Sequence, residues 1–190
     1  MYQKYQTEAL VLGSWESGEA DRTIALYTRD FGLVRARGSA VRTENSKMRY
    51  GLQLYTHVHV GLIRGRRGWR AAGAAAIKNP SAQYRPLGVF ARVSELVLRL
   101  VAGEEKNEYL FAALGDAHDA LMQKECTAYA TIEIVCVARV LYALGYISSE
   151  ALQTALFTHT AYGDPELSEG ERLKDALLLS INRAISETQL

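Results

Sequence analysis

The sequence predicts an α+β chain, with a basic, strand-rich first half and an acidic, all-helical second half. Three observations carry this reading. The first 80 residues hold 13 Lys+Arg against 6 Asp+Glu and the rest hold 9 against 15, so a net charge of +1 conceals +7 and −6. Apolar residues alternate in twos through the first half, then recur at helical spacing from about residue 86. Asn79-Pro80-Ser81, followed by Pro86, sets a break and a helix start where the periodicity changes. Two modules follow, residues 1–80 and 81–190.

Composition bounds the class. With 190 residues, 48% hydrophobic and 23% charged, the chain is globular rather than disordered. Cys126 and Cys136 form neither a C-x-x-C pair nor a disulfide framework, which fits a reducing cytoplasm. Met1 to Gln6 lacks the apolar core of a signal peptide, and no run approaches the roughly 18 apolar residues of a membrane span. Ala71–Ala76 is apolar but small, which suits a strand packed under a helix.

Thr7–Trp15 reads as a first strand, followed by the polar loop Glu16–Asp21. Thr23–Thr28 alternates as a second strand, and Asp30-Phe31-Gly32 makes a tight turn with Gly32 at positive φ. The third strand, 33–41, sets Val34, Ala36, Gly38 and Ala40 against Leu33, Arg35, Arg37 and Ser39. Residues 43–50 interrupt the strands with room for one helical turn. Leu54, Thr56, Val58, Val60 and Leu62 then alternate with Tyr55, His57, His59, Gly61 and Ile63. Arg64-Gly65-Arg66-Arg67-Gly68 turns that strand into a fifth, beginning near Trp69. Five strands with an insertion after the third is the order of an OB-fold barrel, which binds oligonucleotides across strands two and three and at the loops after strands one and four.

Helical spacing follows. The first helix, about 86–102, buries Leu87, Phe90, Val97 and Val101 and lines up Arg85, Arg92 and Arg99; Gly103 closes it. Asn107 caps a helix with the stripe Leu110, Leu114, Ala117 and Leu121. Residues 127–144 are apolar on nearly every side, which marks a buried central helix ended by Gly145. A short helix from Ser148 or Ser149 to Phe157 and a loop at His159–Asp164 come next. Ser168-Glu169-Gly170-Glu171 reads as a capping box for a last helix striped by Leu173, Leu177, Ile181 and Ile185.

The chemistry concentrates in Leu33–Arg70, where nine basic residues face one acid, Glu44. A solvated surface mixes charges of both signs, so such a set on adjacent strands repels itself without an anionic partner. Arginine exceeds lysine there eight to one, and its planar fork suits phosphate and base stacking. The candidate contacts are Arg35, Arg37, Arg42, Lys47, Arg49, Tyr55, Arg64, Arg66, Arg67 and Arg70. Trp69 is a second stacking candidate with a competing role in the core. His57 and His59 share a strand face but lack the further ligands that structural zinc needs. Glu16, Glu19 and Asp21 read as turn-stabilising or barrel-closing residues rather than a Mg²⁺ site. No nucleophile elbow or Walker loop is present, and enzymatic activity, metals and cofactors are not expected.

Thr7-x-Ala9-x-Val11-Leu12, Gly18-Glu19-x-Asp21-Arg22, Leu26-Tyr27-Thr28-x-x-x-Gly32 and Ser46-Lys47-x-Arg49-x-x-Leu52-Gln53-Leu54-Tyr55 occur in that order. Together they resemble the N-terminal OB domain of the RecO family of bacterial recombination mediators, over about residues 6–77. Glu95-Leu96-Val97, Asn107–Phe111 and Leu144-Gly145-Tyr146 extend the likeness more weakly into the helical half. The resemblance implies binding of single- and double-stranded DNA, annealing of complementary strands, and, with RecR, loading of RecA. It also places Lys47 and Arg49 in the family's basic loop. Two departures stand out. The family's four-cysteine zinc module has no cysteines in the corresponding 147–164, so zinc is not expected. Tyr129-Ala130-Thr131-Ile132-Glu133 replaces the arginines that receive the acidic tail of single-stranded DNA-binding protein, which places that interaction in doubt. The chain is short for the family, so a trimmed C-terminal region is expected. An RNA-binding barrel and a protein adaptor docking an acidic partner remain the alternatives.

Overall fold

Alternation in the first half folds into five strands: β1 Gln3–Glu16, β2 Arg22–Thr28, β3 Gly32–Gly38, β4 His57–Gly65 and β5 Gly68–Lys78. They close into a barrel in the order β1-β2-β3-β5-β4, with β1 also pairing β4, the arrangement of an OB-fold. The computed structural model describes residues 3–44, 46–79, 84–152 and 154–187. The break expected at Pro80-Ser81 lies outside them.

Closure depends on β1, which spans 14 residues and serves two partners. Its first part pairs β4 and its second part pairs β2, with a β-bulge between Val11 and Gly13. The extra residue bends the strand so that one segment turns the barrel's corner. The interior is filled by inward-facing residues from every strand, including Ala9, Val11, Ile24, Leu26, Val34, Ala36, Val58, Val60, Leu62 and Trp69. Tyr5, Phe31 and Trp69 seal one end, with ring centroids 5.1–5.5 Å apart. Trp69 is 5% exposed and therefore part of the core, not a stacking platform.

Several boundaries differ from the sequence reading. β3 stops at Gly38, because the Asp21 carboxylate accepts the Ala40 N–H at 2.8 Å and Ala40 turns to φ 54°. β4 starts at His57 because Tyr55, at φ 65°, breaks the extended run. Residues 39–55 hold turns and no regular helix among those described; Leu52 N–H donates to Met48 O at 3.0 Å in α-helical fashion, and Thr43, Ser46 and Arg49 N–H donate three residues back. The insertion packs on β5, where Gly51 lies against the backbone of Ala74.

The helices are α1 Tyr84–Leu100, α2 Glu108–Gln123, α3 Tyr129–Ala143, α4 Ser149–Leu152, α5 Asp164–Arg172 and α6 Lys174–Glu187, with 3₁₀ turns at Cys126–Ala128 and Ala155–Phe157. The chain forms two compact units, Met1–Ala82 with Leu100–Glu108, and Gln83–Arg99 with Tyr109–Leu190. In the first, the returning segment lies on the β2–β3 turn: Gly32, at φ 63°, abuts the Glu105 backbone so closely that a Cβ would collide with it.

In the second unit α5 and α6 pack on α3, which buries Ile132, Val135, Ala138, Val140 and Leu141. Cys126–Ala143, the segment read from the sequence as a buried central helix, has the length and mean hydropathy, 1.4, of a bilayer crossing. Its inward side is a protein core that holds Arg139, so it is a core helix. Gly145, at φ 81°, ends α3 in a Schellman motif, with Tyr146 N–H donating to Leu141 O and Gly145 N–H to Tyr142 O. The capping box expected at Ser168 does not form. Those residues lie inside α5, where Gly170 sits tight against Val135 of α3, and the helix starts instead with Pro165 in its first turn.

Candidate nucleic-acid interface

The β4–β5 hairpin turns through Arg66-Arg67, flanked by the paired Gly65 and Gly68. Gly68 adopts φ 96°, which only glycine takes without strain and which makes this two-residue loop possible. The loop puts both arginines into solvent. Beside it, β3 and β5 run parallel and pair Arg37 directly with Arg70. Arg37, Arg66, Arg67 and Arg70 therefore border one open concavity of about 390 Å³, with Ile63, Gly65, Gly68 and Trp69 as its apolar lining. Among the described residues no acidic side chain lines it.

Three of the candidate arginines, Arg37, Arg64 and Arg42, already have acidic partners. Arg37 donates to the Asp21 carboxylate through Nε at 3.0 Å and Nη2 at 2.6 Å. The Ala40 N–H and Arg37 together hold Asp21 below the usual carboxylate range. Arg64 pairs with Glu104 at 3.3 Å and lies 5.1 Å from the centroid of the Trp69 ring, so it caps the barrel end rather than lining the concavity.

The remaining candidates are dispersed. Arg35 is exposed two residues before Arg37 on the same face of β3. Farther along that face, Ala25, Tyr27 and Leu33 are buried, so only the hairpin end of the β2–β3 surface is open and basic. Burial also pushes the Tyr27 hydroxyl's pKa well up. Arg42 pairs with Glu16 at 3.1 Å and reaches Gly18 O at 3.4 Å, tying the β1–β2 loop to the segment after β3. Lys47 and Arg49 are exposed on the insertion, outside the concavity. Tyr55 is half-buried, and its N–H donates to Val11 O at 2.8 Å. His59 is exposed, whereas His57 lies 3.7 Å from Glu8. Among the described residues no three or more His, Cys, Asp or Glu side chains stand together as a metal site.

Two residues escaped the sequence reading. Lys4 pairs with Ile63 and so joins the face that carries Arg70; its place in the alternation of β1 was the available signal. Glu104 answers Arg64 from 40 residues away, and nothing local announces it.

An OB barrel whose fourth loop and third strand carry arginines around one open concavity defines a basic OB-fold protein. Residues 1–72 match the family described as Recombination protein O N terminal. The DNA repair protein RecO of Thermobifida fusca is 44% identical over 62 residues, 33% of this chain and 26% of that protein. The one from Desulfitobacterium hafniense is 39% identical over 62 residues, 33% of this chain and 23% of that protein. The one from Dehalococcoides mccartyi is 26% identical over 140 residues, 69% of this chain and 54% of that protein. The barrel half of the chain is thus similar to the N-terminal domain of RecO proteins, which are named for DNA repair and recombination. The aligned parts cover between about a quarter and about half of these relatives.

Proposed function

We propose that this chain binds single- and double-stranded DNA through the arginine hairpin and the adjoining end of β3, and that it anneals complementary strands as a recombination mediator without catalysing a reaction of its own. The observation that carries this reading is the grouping of Arg37, Arg66, Arg67 and Arg70 around a concavity with no acidic lining. Guanidinium groups held on a rigid hairpin displace condensed counterions from phosphates, and that release supplies affinity without base readout. Neutralising the phosphates of two strands lowers their mutual repulsion, so complementary bases can meet. The family likeness favours DNA as the polyanion, RecR and RecA as partners in loading, and the cytoplasm as the compartment.

The test is a strand-annealing assay with two complementary oligonucleotides, read by fluorescence, alongside anisotropy titrations with DNA and RNA of one sequence. Faster annealing with salt-sensitive DNA binding is expected. Binding of RNA alone would replace DNA by RNA. Binding of neither at physiological salt, with an acidic protein recovered instead, would make the barrel an adaptor.

A further inference from the structure

We propose that Trp15 is a base-stacking residue and that a single strand crosses the barrel's outer face along the row Trp15, Arg37 and Arg70. This rests on the DNA-binding reading above and adds what that reading lacks, a contact to the bases.

The row follows from the strand registers. Trp15 pairs with Thr23, Thr23 with Arg37, Arg37 with Arg70, Arg70 with Ile63, and Ile63 with Lys4. Cross-strand partners point to the same face of a sheet. The neighbours on either side of this row, Ile24 and Ala36, lie in the barrel core, so the row faces outward. Arg37, Arg70 and Lys4 are exposed, while Thr23 and Ile63 between them are half-buried. The result is a low track with cations standing above it.

Trp15 reaches this row only because of the bulge in β1. Ala9 and Val11 point into the core, so uninterrupted alternation would send Gly13 and Trp15 inward as well. The irregularity between Val11 and Gly13 inverts the parity: Ser14 pairs with inward Ile24, and Trp15 pairs with outward Thr23. The indole is consequently 47% exposed, whereas Trp69 is 5% exposed in the core. Tyr50 is also exposed, but it stands on the insertion rather than on the row.

Adjacent strands lie about 4.8 Å apart, so Trp15 is about 10 Å from Arg37 along the track, and Arg70 is one step of about 5 Å beyond. An aromatic face at one end of a cationic track is how sequence-tolerant single-strand binders hold bases and backbone together. Every base offers a π-face, so stacking on Trp15 needs no sequence preference.

The test pairs Trp15→Ala and Trp15→Phe with two probes, an oligothymidine and an oligonucleotide of equal length built of abasic sites. Stacking predicts that Trp15→Ala weakens oligothymidine binding by about tenfold, with the salt slope unchanged and abasic binding unaffected. Trp15→Phe should keep most of the affinity. In a Trp69→Phe background, which leaves Trp15 as the one tryptophan, fluorescence should be quenched by oligothymidine and not by the abasic probe; this readout stands even if the alanine variant folds poorly. Equal loss on both probes, or no loss and no quenching, would overturn the stacking role while leaving DNA binding in place. Failure of the wild type to bind either probe would sink both readings.

Discussion

Reversing the two loop arginines, Arg66→Glu with Arg67→Glu, probes the electrostatics of the concavity directly. Four arginines border it. If each neutralises one phosphate of a single strand, log K falls with log salt at a slope of about −0.7 per contact, or about −3 in all. Between about 50 and 200 mM salt that slope costs the wild type roughly fiftyfold in affinity. Removing two contacts halves the slope to about −1.4, so the variant loses only about sevenfold over the same range. At low salt the variant binds far more weakly, and the two titrations converge as salt rises. Both side chains are exposed at the tip of a hairpin whose turn is made by Gly65 and Gly68, so the fold tolerates the change. Anisotropy titrations at four or five salt concentrations measure the slope, and circular dichroism confirms the folded state. A slope equal to that of the wild type would refute the placement of phosphates at this loop.

Asp21→Asn should release Arg37 from its competing carboxylate while the remaining carbonyl oxygen still accepts the Ala40 N–H, so affinity for single strands at a fixed salt concentration should rise. An unchanged affinity in that variant would take Arg37 off the phosphate path. Because the folded state lowers the pKa of Asp21, its contribution to stability is present above the ordinary carboxylate pKa and lost as pH falls through the lowered value. The same variant should therefore flatten the acid limb of the stability profile, measured by urea unfolding below about pH 4. Gly32→Ala meets both a positive φ and the Glu105 backbone, and should cost about 2–4 kcal/mol in chemical denaturation; a loss under about 1 kcal/mol would contradict that packing. Arg139, fully buried, donates Nε to Leu156 O at 2.9 Å and Nη1 to Thr160 O at 2.8 Å under the Tyr162 ring. Arg139→Leu orphans two carbonyls and should destabilise the helical unit by about 2–5 kcal/mol, whereas Cys136→Ser at the adjoining thiol, pushed up to about 12 by burial, should leave thiol-independent DNA binding unchanged.

Much of the barrel was legible because local physics writes it. The two-residue period of β3 put Val34 and Ala36 inside and Arg35 and Arg37 outside, and the structure keeps that assignment. Gly32 announced its turn, and Arg66-Arg67 between two glycines announced the loop after the fourth strand. The helical stripe Leu110, Leu114, Ala117 and Leu121 is buried as its spacing requires. These features depend on neighbours within a few residues, which a reader of the chain can see.

What stayed hidden depends on partners far apart in the chain. Trp69 beside arginines looked equally suited to stacking and to burial, and closure of the barrel on Tyr5 and Phe31 decided for burial. Leu33 sits on the outward parity of β3 and is nonetheless buried. The grouping of Arg37 with Arg70 requires the parallel β3–β5 pairing, which joins residues from opposite sides of a long insertion and leaves no trace in local periodicity. Asp21's hold on Arg37 and Glu104's on Arg64 are likewise long-range pairs. The sequence by itself thus determined which residue types the barrel would carry and, where alternation runs unbroken, on which strand faces they would stand. The tertiary structure alone decided which of those cations share a concavity, which are already paired, and which aromatic residue is left in the open, because one bulge in β1 inverts the parity of the strand that bears it.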